Sequence, residues 1–269
     1  MKIAVSGAAG RMGKRILALA HERPDMEISG ALETSGHPAI GKDAGEVAGI
    51  GQIGVPISDN ISEVVKNCDV LIDFSAATAS VTHVEATAAA GKAIVVGTTG
   101  FSEDQKRQIN RAAASTRCLI APNMSMGVNL LFSLVGKVAG ALGDEYDVEI
   151  VEAHHRMKKD APSGTALKLA EVIAKALKRD LASDAVYGRQ GLVGERKPRE
   201  IGVLAVRGGD IVGEHTVSFV TGGERIELVH RAHSRDAFAR GALQGASWLI
   251  SKPNGIYDMQ DVLGLKASK

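Results

Sequence analysis

The chain has 269 residues, 45% of them hydrophobic and 23% charged, and its formal net charge is +1 at neutral pH. This length allows one large or two modest domains with a real core, and the balanced charge argues against a nucleic-acid-binding surface. Cys68 and Cys118 are isolated, so the protein is predicted to hold no metal. No signal-peptide pattern follows Met1, and we expect no apolar run to approach the ~20 residues of a membrane span. The protein is therefore predicted to be cytoplasmic.

A glycine-rich turn follows the first predicted element, a buried strand at residues 2–6. Apolar residues at helical spacing continue from this turn to residue 21, and a second strand is predicted at residues 26–32. In such a β–turn–α–β unit the glycines let the backbone approach a pyrophosphate, and the helix N-terminus supplies N–H donors. The predicted pyrophosphate-binding residues are Gly7, Ala8, Ala9, Gly10, Arg11 and Met12.

Glu33 follows the second strand, about 20 residues after the last glycine of the turn, which is the position of an acid that binds the adenosine ribose. Thr34 comes next, and the nearest downstream cation is Lys42. The cofactor is therefore expected to be NADH or NADPH. NADH is expected to be preferred, because the 2′-phosphate of NADPH needs a cation close by. The alternative is a tight turn that binds nothing, with Glu33 there by chance.

Strands and helices then alternate. Residues 36–56 are predicted to be loop, strands are predicted at residues 70–74, 93–96 and 119–121, and helices lie between them. This alternation predicts a doubly wound parallel sheet of the Rossmann type, whose ligands lie beyond the carboxyl ends of the strands. The residues expected along that crevice are Gly97, Thr98, Thr99, Ala121, Pro122, Asn123 and Met124. Each of these strand-end loops, taken singly, could equally be a plain connector.

The pattern changes after a long apolar helix predicted at residues 125–142. Alternating strands are predicted at 146–153, 215–220 and 225–230, with a hairpin at Gly222 and Gly223. This indicates a second α+β domain with a mixed or antiparallel sheet, one face of which we expect another subunit to cover. A last helix at 235–250 is expected to return to the first domain. We therefore predict a dinucleotide-binding domain at residues 1–125 and 236–269, and a substrate-binding and oligomerisation domain at 126–235.

A cationic cluster lies between the strand at 146–153 and the next helix. His154, His155, Arg156, Lys158 and Lys159 precede residues 161–166, where Ser163 has the character of an N-cap. A helix N-terminus beside proton donors and fixed cations suits a small, multiply anionic substrate whose chemistry needs a proton. The alternative is a solvated basic loop before an ordinary helix.

These motifs together resemble the 4-hydroxy-tetrahydrodipicolinate reductase (dihydrodipicolinate reductase) family of lysine and diaminopimelate biosynthesis, over nearly the full chain. The most specific part is the string at residues 152–166, and the matching segments also include residues 7–13, 97–100, 121–125, 213–216 and 257–263. The resemblance implies an oxidoreductase that transfers a hydride from NAD(P)H to (2S,4S)-4-hydroxy-2,3,4,5-tetrahydrodipicolinate, giving tetrahydrodipicolinate and water. It also implies a homotetramer.

The resemblance also implies the site. His154 would donate or accept the proton, Lys158 would be the proton donor, and the substrate carboxylates would bind to His155, Gly164 and Thr165. Two departures from the family pattern are Thr34, where members that use NADPH freely tend to have Arg, and Lys159, where an apolar residue is familiar. For Arg156 and Lys159 we expect structural or steering roles.

Two other functions remain open. Another two-domain NAD(P)H-dependent reductase with a covalent aldehyde step would need a catalytic cysteine, and Cys118 lies within a predicted strand. A non-catalytic NAD-sensing regulator would need a helix-turn-helix with a basic face, which the sequence does not indicate. The remaining histidines are expected to be surface or satisfied core residues: His21, His37, His83, His215, His230 and His233.

Overall fold

The computed structural model describes residues 1–266 and divides into two compact units. Unit 1 is Met1–Met126 together with the segment that begins at Arg235, and unit 2 is Gly127–Ser234. The strands are β1 (Lys2–Ser6), β2 (Glu27–Leu32), β3 (Ile57–Ser58), β4 (Val70–Asp73), β5 (Ala93–Val96), β6 (Arg117–Ile120), β7 (Asp147–His154), β8 (Ala185–Val186), β9 (Ile201–Arg207), β10 (Gly213–Thr221), β11 (Glu224–Ala232) and β12 (Gly255–Tyr257). The helices are α1 (Arg11–His21), α2 (Ala44–Ala48), α3 (Ile61–Lys66), α4 (Ala77–Ala89), α5 (Glu103–Ala113), α6 (Met126–Leu142), α7 (Gly164–Leu177), α8 (Leu181–Asp184), α9 (Asp236–Leu249) and α10 (Met259–Val262).

Unit 1 is organised around a seven-stranded sheet in the order β12-β6-β5-β4-β1-β2-β3, and every pairing in it is parallel. The strands β4 and β5 are buried along their whole length, because helices cover both faces of a parallel sheet and leave no face for polar residues. The predicted doubly wound parallel sheet is therefore confirmed. Because β1 pairs with both β2 and β4, the strand order reverses beside the glycine turn, where such sheets bind ligands.

Two segments of unit 1 contain more structure than the sequence predicted. Residues 36–56, predicted to be loop, contain α2, whose N-cap is Asp43. The Asp43 carboxylate accepts five backbone N–H bonds, from Gly45, Glu46, Ile53, Gly54 and Val55. The segment after residue 255, predicted to be a short tail, supplies β12, which pairs with β6, and then α10. Neither segment shows a periodic apolar pattern from which a helix could be predicted. Each of the two helices begins instead at a capping carboxylate, Asp43 for α2 and Asp258 for α10.

Unit 2 contains a mixed five-stranded sheet in the order β11-β10-β7-β9-β8. β10 is antiparallel to both neighbours, whereas β7 and β9 are parallel, so the prediction of a second, mixed sheet is confirmed. Alternation along β7 directs Val148, Ile150 and Glu152 toward the core formed with α6 and α7. The opposite face includes the partly exposed Val151 and Val229.

The helix at the start of unit 2 contradicts one expectation. Residues 126–145, which contain α6, include an 18-residue window of mean hydropathy 1.5 and are long and apolar enough, by length and composition, to cross a membrane. The expectation that no apolar run approaches that length was therefore wrong: Asn129, Ser133 and Lys137 interrupt the run, but its mean hydropathy stays high. Val128, Val135 and Ala139 lie on one side of α6 in the core of unit 2, which is the packing of a core helix.

Candidate functional site

The glycine turn of unit 1 holds its shape by close backbone contacts. Gly7 has a φ of +72°, and a Cβ there would lie 2.4 Å from the carbonyl oxygen of Phe74. A Cβ on Gly13 would lie 2.1 Å from the carbonyl oxygen of Gly7. Gly10 caps α1 without a side-chain hydrogen bond, so the first N–H groups of the helix have no capping side chain. The turn is therefore a backbone cradle with a helix N-terminus open to an anion.

Two adjoining cavities of unit 1 meet at this turn. The larger, about 620 Å³, is lined by Gly7, Gly10 and Glu33, among other residues. The smaller, about 460 Å³, is lined by residues 10–12 and by Gly97, Thr98 and Thr99. The structure thus brings the glycine turn together with both Glu33 and residues 97–99. A space of this size, with a glycine turn between an acidic residue and a second strand-end loop, fits a dinucleotide.

The predicted residues after β6 are placed differently. Ala121 donates its N–H to the Val96 carbonyl oxygen at 3.1 Å, and the Asn123 side chain accepts from the Ser125 N–H at 2.9 Å. Ala121 and Met124 are buried. The two cavities are lined by none of residues 121–124. These residues follow the carboxyl end of β6, as the alternation predicted, but lie outside the lining of these two cavities.

Glu33 is held against the glycine turn. One carboxylate oxygen accepts from the Ala9 N–H at 3.1 Å and the other from the Thr34 N–H at 3.0 Å. A second carboxylate, Asp59, lines the same cavity, and within the described residues no Lys or Arg lines it. The larger cavity therefore has an anionic edge, which disfavours an additional phosphate there.

A buried histidine also lines the larger cavity. His83 Nδ1 lies 3.2 Å from a carboxylate oxygen of Asp73 and 3.4 Å from Ser6 Oγ. Asp73 is fully buried at the end of β4. His83, expected to be a surface or satisfied core residue, is thus a buried histidine with polar partners.

In unit 2, strand β7 delivers a buried carboxylate and an imidazole on the same face. Glu152 is 0% exposed and His154 Nδ1 lies 2.6 Å from one of its oxygens. Arg207 of β9 donates to both carboxylate oxygens, each at 2.7 Å, and the Ser163 N–H donates at 3.0 Å. Burial acts to raise the pKa of Glu152, but the bonds from Arg207, His154 and Ser163 together outweigh it and lower that pKa. The carboxylate therefore stays ionised at neutral pH.

His154 is half-buried and neutral at pH 7. Burial lowers the pKa of His154 below its usual value; Glu152 acts in the opposite direction, and the nearby cations Lys158 and Arg207 add to the lowering. Its ring meets that of His215 edge to face, with centroids 5.3 Å apart. A neutral imidazole held by one nitrogen leaves the other nitrogen to accept or pass a proton.

The other cations of the predicted cluster lie in the following loop. Lys158 Nζ is 2.9 Å from an Asp160 carboxylate oxygen, and this ammonium lowers the pKa of Asp160. The side chain of Lys158 is 21% exposed, whereas Arg156 and Lys159 are exposed residues. The loop is fixed near its start by the bond from the His155 N–H to the Ile211 carbonyl oxygen at 2.7 Å.

Helix α7 begins where the sequence predicted. Ser163 is its N-cap, and the Ser163 hydroxyl accepts from the Ala166 N–H at 3.2 Å. That hydroxyl also lies 3.2 Å from His215 Nε2. Gly164 and Thr165 form the first positions of the helix, where backbone N–H groups point outward along the axis. The structure therefore places the predicted anion site and His154 on the two sides of Glu152.

Sequence reasoning assigned no role to three residues of this cluster: Glu152, Arg207 and His215. The signal for Glu152 was available, because residues two apart on a strand share a face. Arg207 is brought in by the pairing of His154 with Arg207 between β7 and β9, which no local pattern reveals. His215, expected to be a surface or satisfied core residue, is buried beside His154, and its Nδ1 has no partner within residues 1–266.

Comparisons with known proteins cover both units. The family profile described as dihydrodipicolinate reductase, N-terminus, matches residues 1–124, and that described as dihydrodipicolinate reductase, C-terminus, matches residues 127–263. The 4-hydroxy-tetrahydrodipicolinate reductase of Citrifermentans bemidjiense is 55% identical over 99% of this chain and 100% of its own length. That of Syntrophobacter fumaroxidans is 52% identical over the same shares. A solved structure of dipicolinate-bound dihydrodipicolinate reductase from Paenisporosarcina sp. TG-14 has the same fold, with a TM-score of 0.76, 22% identity, and coverage of 97% of this chain and 98% of that one.

Proposed function

The chain belongs to the dihydrodipicolinate reductase family, and from that premise we propose how its own residues carry out the reaction. The reaction reduces (2S,4S)-4-hydroxy-2,3,4,5-tetrahydrodipicolinate to tetrahydrodipicolinate with loss of water, a step of lysine and diaminopimelate biosynthesis. The observation that carries the assignment to this site is the joint attachment of His154 and the start of α7 to Glu152, because it puts a proton-handling ring beside an anion site.

Unit 1 is proposed as the dinucleotide-binding domain, residues 1–125 with 236–269. The close contacts at Gly7 and Gly13, the uncapped α1 and the adjoining cavities support this role. When bound, the dihydronicotinamide supplies the hydride. The backbone of residues 7–12 would hold the pyrophosphate and Glu33 the adenosine ribose. Residues 97–99 and 121–124 would lie on the nicotinamide side.

NADH is proposed as the preferred cofactor. Thr34 stands where a guanidinium would pair with a 2′-phosphate, and within residues 1–266 the larger cavity presents Glu33 and Asp59 without a lining Lys or Arg. Two carboxylates repel a phosphate dianion but accept bonds from ribose hydroxyls. Measured kcat/KM values for the two cofactors test this, and a clear preference for NADPH would refute it.

Unit 2, residues 126–235, is proposed to bind the substrate. The two carboxylates of the substrate would be held by His155 and by the Gly164 and Thr165 backbone at the start of α7, which orients its ring. Lys158 carries the proton to be donated, since its ammonium is held beside Asp160. His154 is neutral with Nδ1 bound to Glu152, so its Nε2 would accept or return a proton during the step. For Arg156 and Lys159, both exposed, we propose steering of the dianionic substrate.

A turnover assay separates this function from its alternatives. Loss of dihydronicotinamide absorbance on adding freshly made substrate, with inhibition by pyridine-2,6-dicarboxylate as a planar mimic, is the expected result. NADH binding in calorimetry without turnover would instead favour a sensor. A covalent aldehyde mechanism at Cys118 is opposed by its environment: the residue is 0% exposed, and burial raises the pKa of its thiol to about 12.

A homotetramer in the cytoplasm is proposed as the working form. The outer face of the unit 2 sheet carries Val151 on β7, Val206 on β9 and Val229 on β11, each more than one-third exposed. A second copy of this sheet would bury such a face. Light scattering after gel filtration tests it: Val229→Glu should reduce the mass to a smaller species, whereas Ile256→Glu, at a comparably exposed site of unit 1, should not. A wild-type monomer would refute it.

A further inference from the structure

Among the described residues of unit 2, Glu152 is the carboxylate that accepts the most hydrogen bonds. It is 0% exposed and accepts four bonds: two from the Arg207 guanidinium, one from His154 Nδ1 and one from the Ser163 N–H. A buried carboxylate is costly unless it is paired and its lone pairs are occupied. Because the four donors come from β7, β9 and the cap of α7, the carboxylate ties together three separate parts of the chain.

The first consequence concerns the His154 ring. An ionised carboxylate can only accept hydrogen bonds, so the proton of neutral His154 must sit on Nδ1, at 2.6 Å from Glu152. The unprotonated nitrogen is then Nε2. Gly213 lies beside it, where a Cβ would come within 3.0 Å of Nε2. The charge on Glu152 therefore decides which nitrogen handles a proton, and glycine at position 213 keeps that nitrogen clear of a side chain.

The second consequence concerns the start of α7. The oxygen of Glu152 that does not face His154 accepts the Ser163 N–H at 3.0 Å, and Ser163 in turn caps the helix. Arg207 reinforces this link, because it also donates to the Asp160 carbonyl oxygen at 2.6 Å, in the loop that leads to the cap. One carboxylate thus fixes the imidazole and the backbone donors of the helix relative to each other.

We propose that Glu152, with Arg207 as its counter-ion, is the positioning residue of this site: it holds His154 as the Nδ1–H tautomer and sets the start of α7 beside it. Glu152 is not a catalytic residue, since its oxygens are occupied by the protein. The inference rests on the proposed function for its kinetic test only, because the tautomer of His154 is a property of the protein without substrate.

The decisive variant is Glu152→Gln. An amide presents both a donor and an acceptor to His154, so the ring is expected to populate both neutral tautomers where wild type has one. Nitrogen-15 NMR of the ring reports this directly, and His154→Gln identifies the resonance. With substrate, kcat should fall by about 10²-fold while the Kd for NADH stays within twofold of wild type, because general acid–base catalysis depends on the position of the group.

A control separates positioning from folding. Arg179 is also a buried cation of unit 2, paired with Asp144 at 2.7 Å, and it lies outside the candidate site. Arg179→Gln should lower the melting temperature without changing the His154 tautomer or the kcat of the folded protein. A folded Glu152→Gln protein with a single Nδ1–H tautomer, or with kcat within twofold of wild type, would overturn the proposal.

If Glu152→Gln does not fold, Arg207→Gln replaces it. The charged and titratable groups that face His154 are Glu152 of β7, Arg207 of β9, His215 of β10 and Lys158 of the loop. Removing the guanidinium leaves the carboxylate uncompensated, so the pKa of His154 should rise and the pH profile of kcat should move to higher pH by about one unit. An unmoved profile would contradict the role of Arg207. Wild-type protein without turnover would refute the proposed function but leave the NMR test intact.

Discussion

The two units form their candidate sites from different parts of the chain. In unit 1 the contacts available to a cofactor at residues 7–12 and 97–99 are mostly backbone, and Glu33, the acidic residue beside the glycine turn, is itself fixed by backbone N–H groups. In unit 2 the candidate site is formed by side chains that hydrogen-bond to one another although they are far apart in sequence. Glu152 and Arg207 are 55 residues apart, and Ser163 and His215 are 52 residues apart. A site formed by backbone groups can be predicted from a short stretch of sequence. A site formed by side chains from distant segments depends on how the strands pair.

The largest expected effect tests whether proton transfer belongs to unit 2 alone. His154→Gln or Lys158→Ala should lower kcat by about 10²–10⁴, the usual loss when a general acid or base is removed. The Kd for NADH should stay within twofold of wild type, because the proposed cofactor contacts lie in unit 1. Steady-state kinetics and calorimetry measure both quantities.

Two exposed cations of the same loop provide the matched control for that prediction. Arg156→Ala and Lys159→Ala each remove one positive charge, as Lys158→Ala does, without removing a group that is held by Glu152 or Asp160. They are expected to raise the KM for the dianionic substrate more than they lower kcat. Turnover near the wild-type value in both His154→Gln and Lys158→Ala would remove these two residues from the chemistry.

The second prediction uses pH to distinguish the side-chain cluster of unit 2 from the rest of the molecule. Burial, followed by the neighbouring His154, lowers the pKa of His215 from 6.5 to about 4. The folded protein therefore binds this proton more weakly than the unfolded chain does. The neutral ring contributes fully above about pH 6.5, and up to about 3 kcal/mol of stability is lost as the pH falls toward 4.

Urea midpoints measured across that interval test the sign. In His215→Gln the starting stability at pH 7 should be lower, because packing and the bond to Ser163 change, but its decline toward pH 4 should be shallower than in wild type. His21→Gln, an exposed histidine of unit 1, should follow the wild-type curve. A His215→Gln curve parallel to wild type would show that this ring does not cause the acid loss.

The difference between the units also explains what the sequence could predict. The glycine turn, the strands at β1 and β2 and the cap at Ser163 are local patterns, and each was predicted close to its observed place. Arg207 could not be found, because only the pairing of β9 with β7 brings it to Glu152. Helix α2 was missed for a related reason: its capping Asp43 also accepts from residues ten or more positions later.

Composition misled the prediction at α6. Residues 126–145 contain Asn129, Ser133 and Lys137 among the apolar positions. Because of these interruptions, the segment was not predicted to be long and apolar enough to cross a membrane. Residues 121–124 follow β6, as predicted, but they do not line the two cavities that meet at the glycine turn. The repeating α/β pattern therefore predicts where a loop lies in the sheet. Whether that loop lines a cavity depends on how its side chains pack.

The third prediction sharpens the role of the backbone site by adding a side chain to it. Thr34→Arg places a guanidinium at the end of β2, where it can pair with a 2′-phosphate. The ratio of kcat/KM for NADPH to that for NADH is expected to rise by about 10-fold. Thr34→Gln, of similar length but neutral, should leave the ratio near its wild-type value. An equal rise in both variants would mean that size, and not charge, sets the preference.

The smallest effect concerns the segment of unit 1 that the sequence did not predict. In Asp43→Asn one oxygen can still accept from Gly45, Glu46 and Ile53, but the amide nitrogen cannot accept from Gly54 and Val55. Two N–H groups lose their acceptor, so hydrogen exchange across residues 45–55 should accelerate and the melting temperature should fall slightly, while kcat stays unchanged. Asp59→Asn, a nearby carboxylate that is not part of this cap, should leave that exchange unaltered. If Asp43→Asn exchanged at the wild-type rate, the order of this segment would come from its packing against α1 and not from the carboxylate.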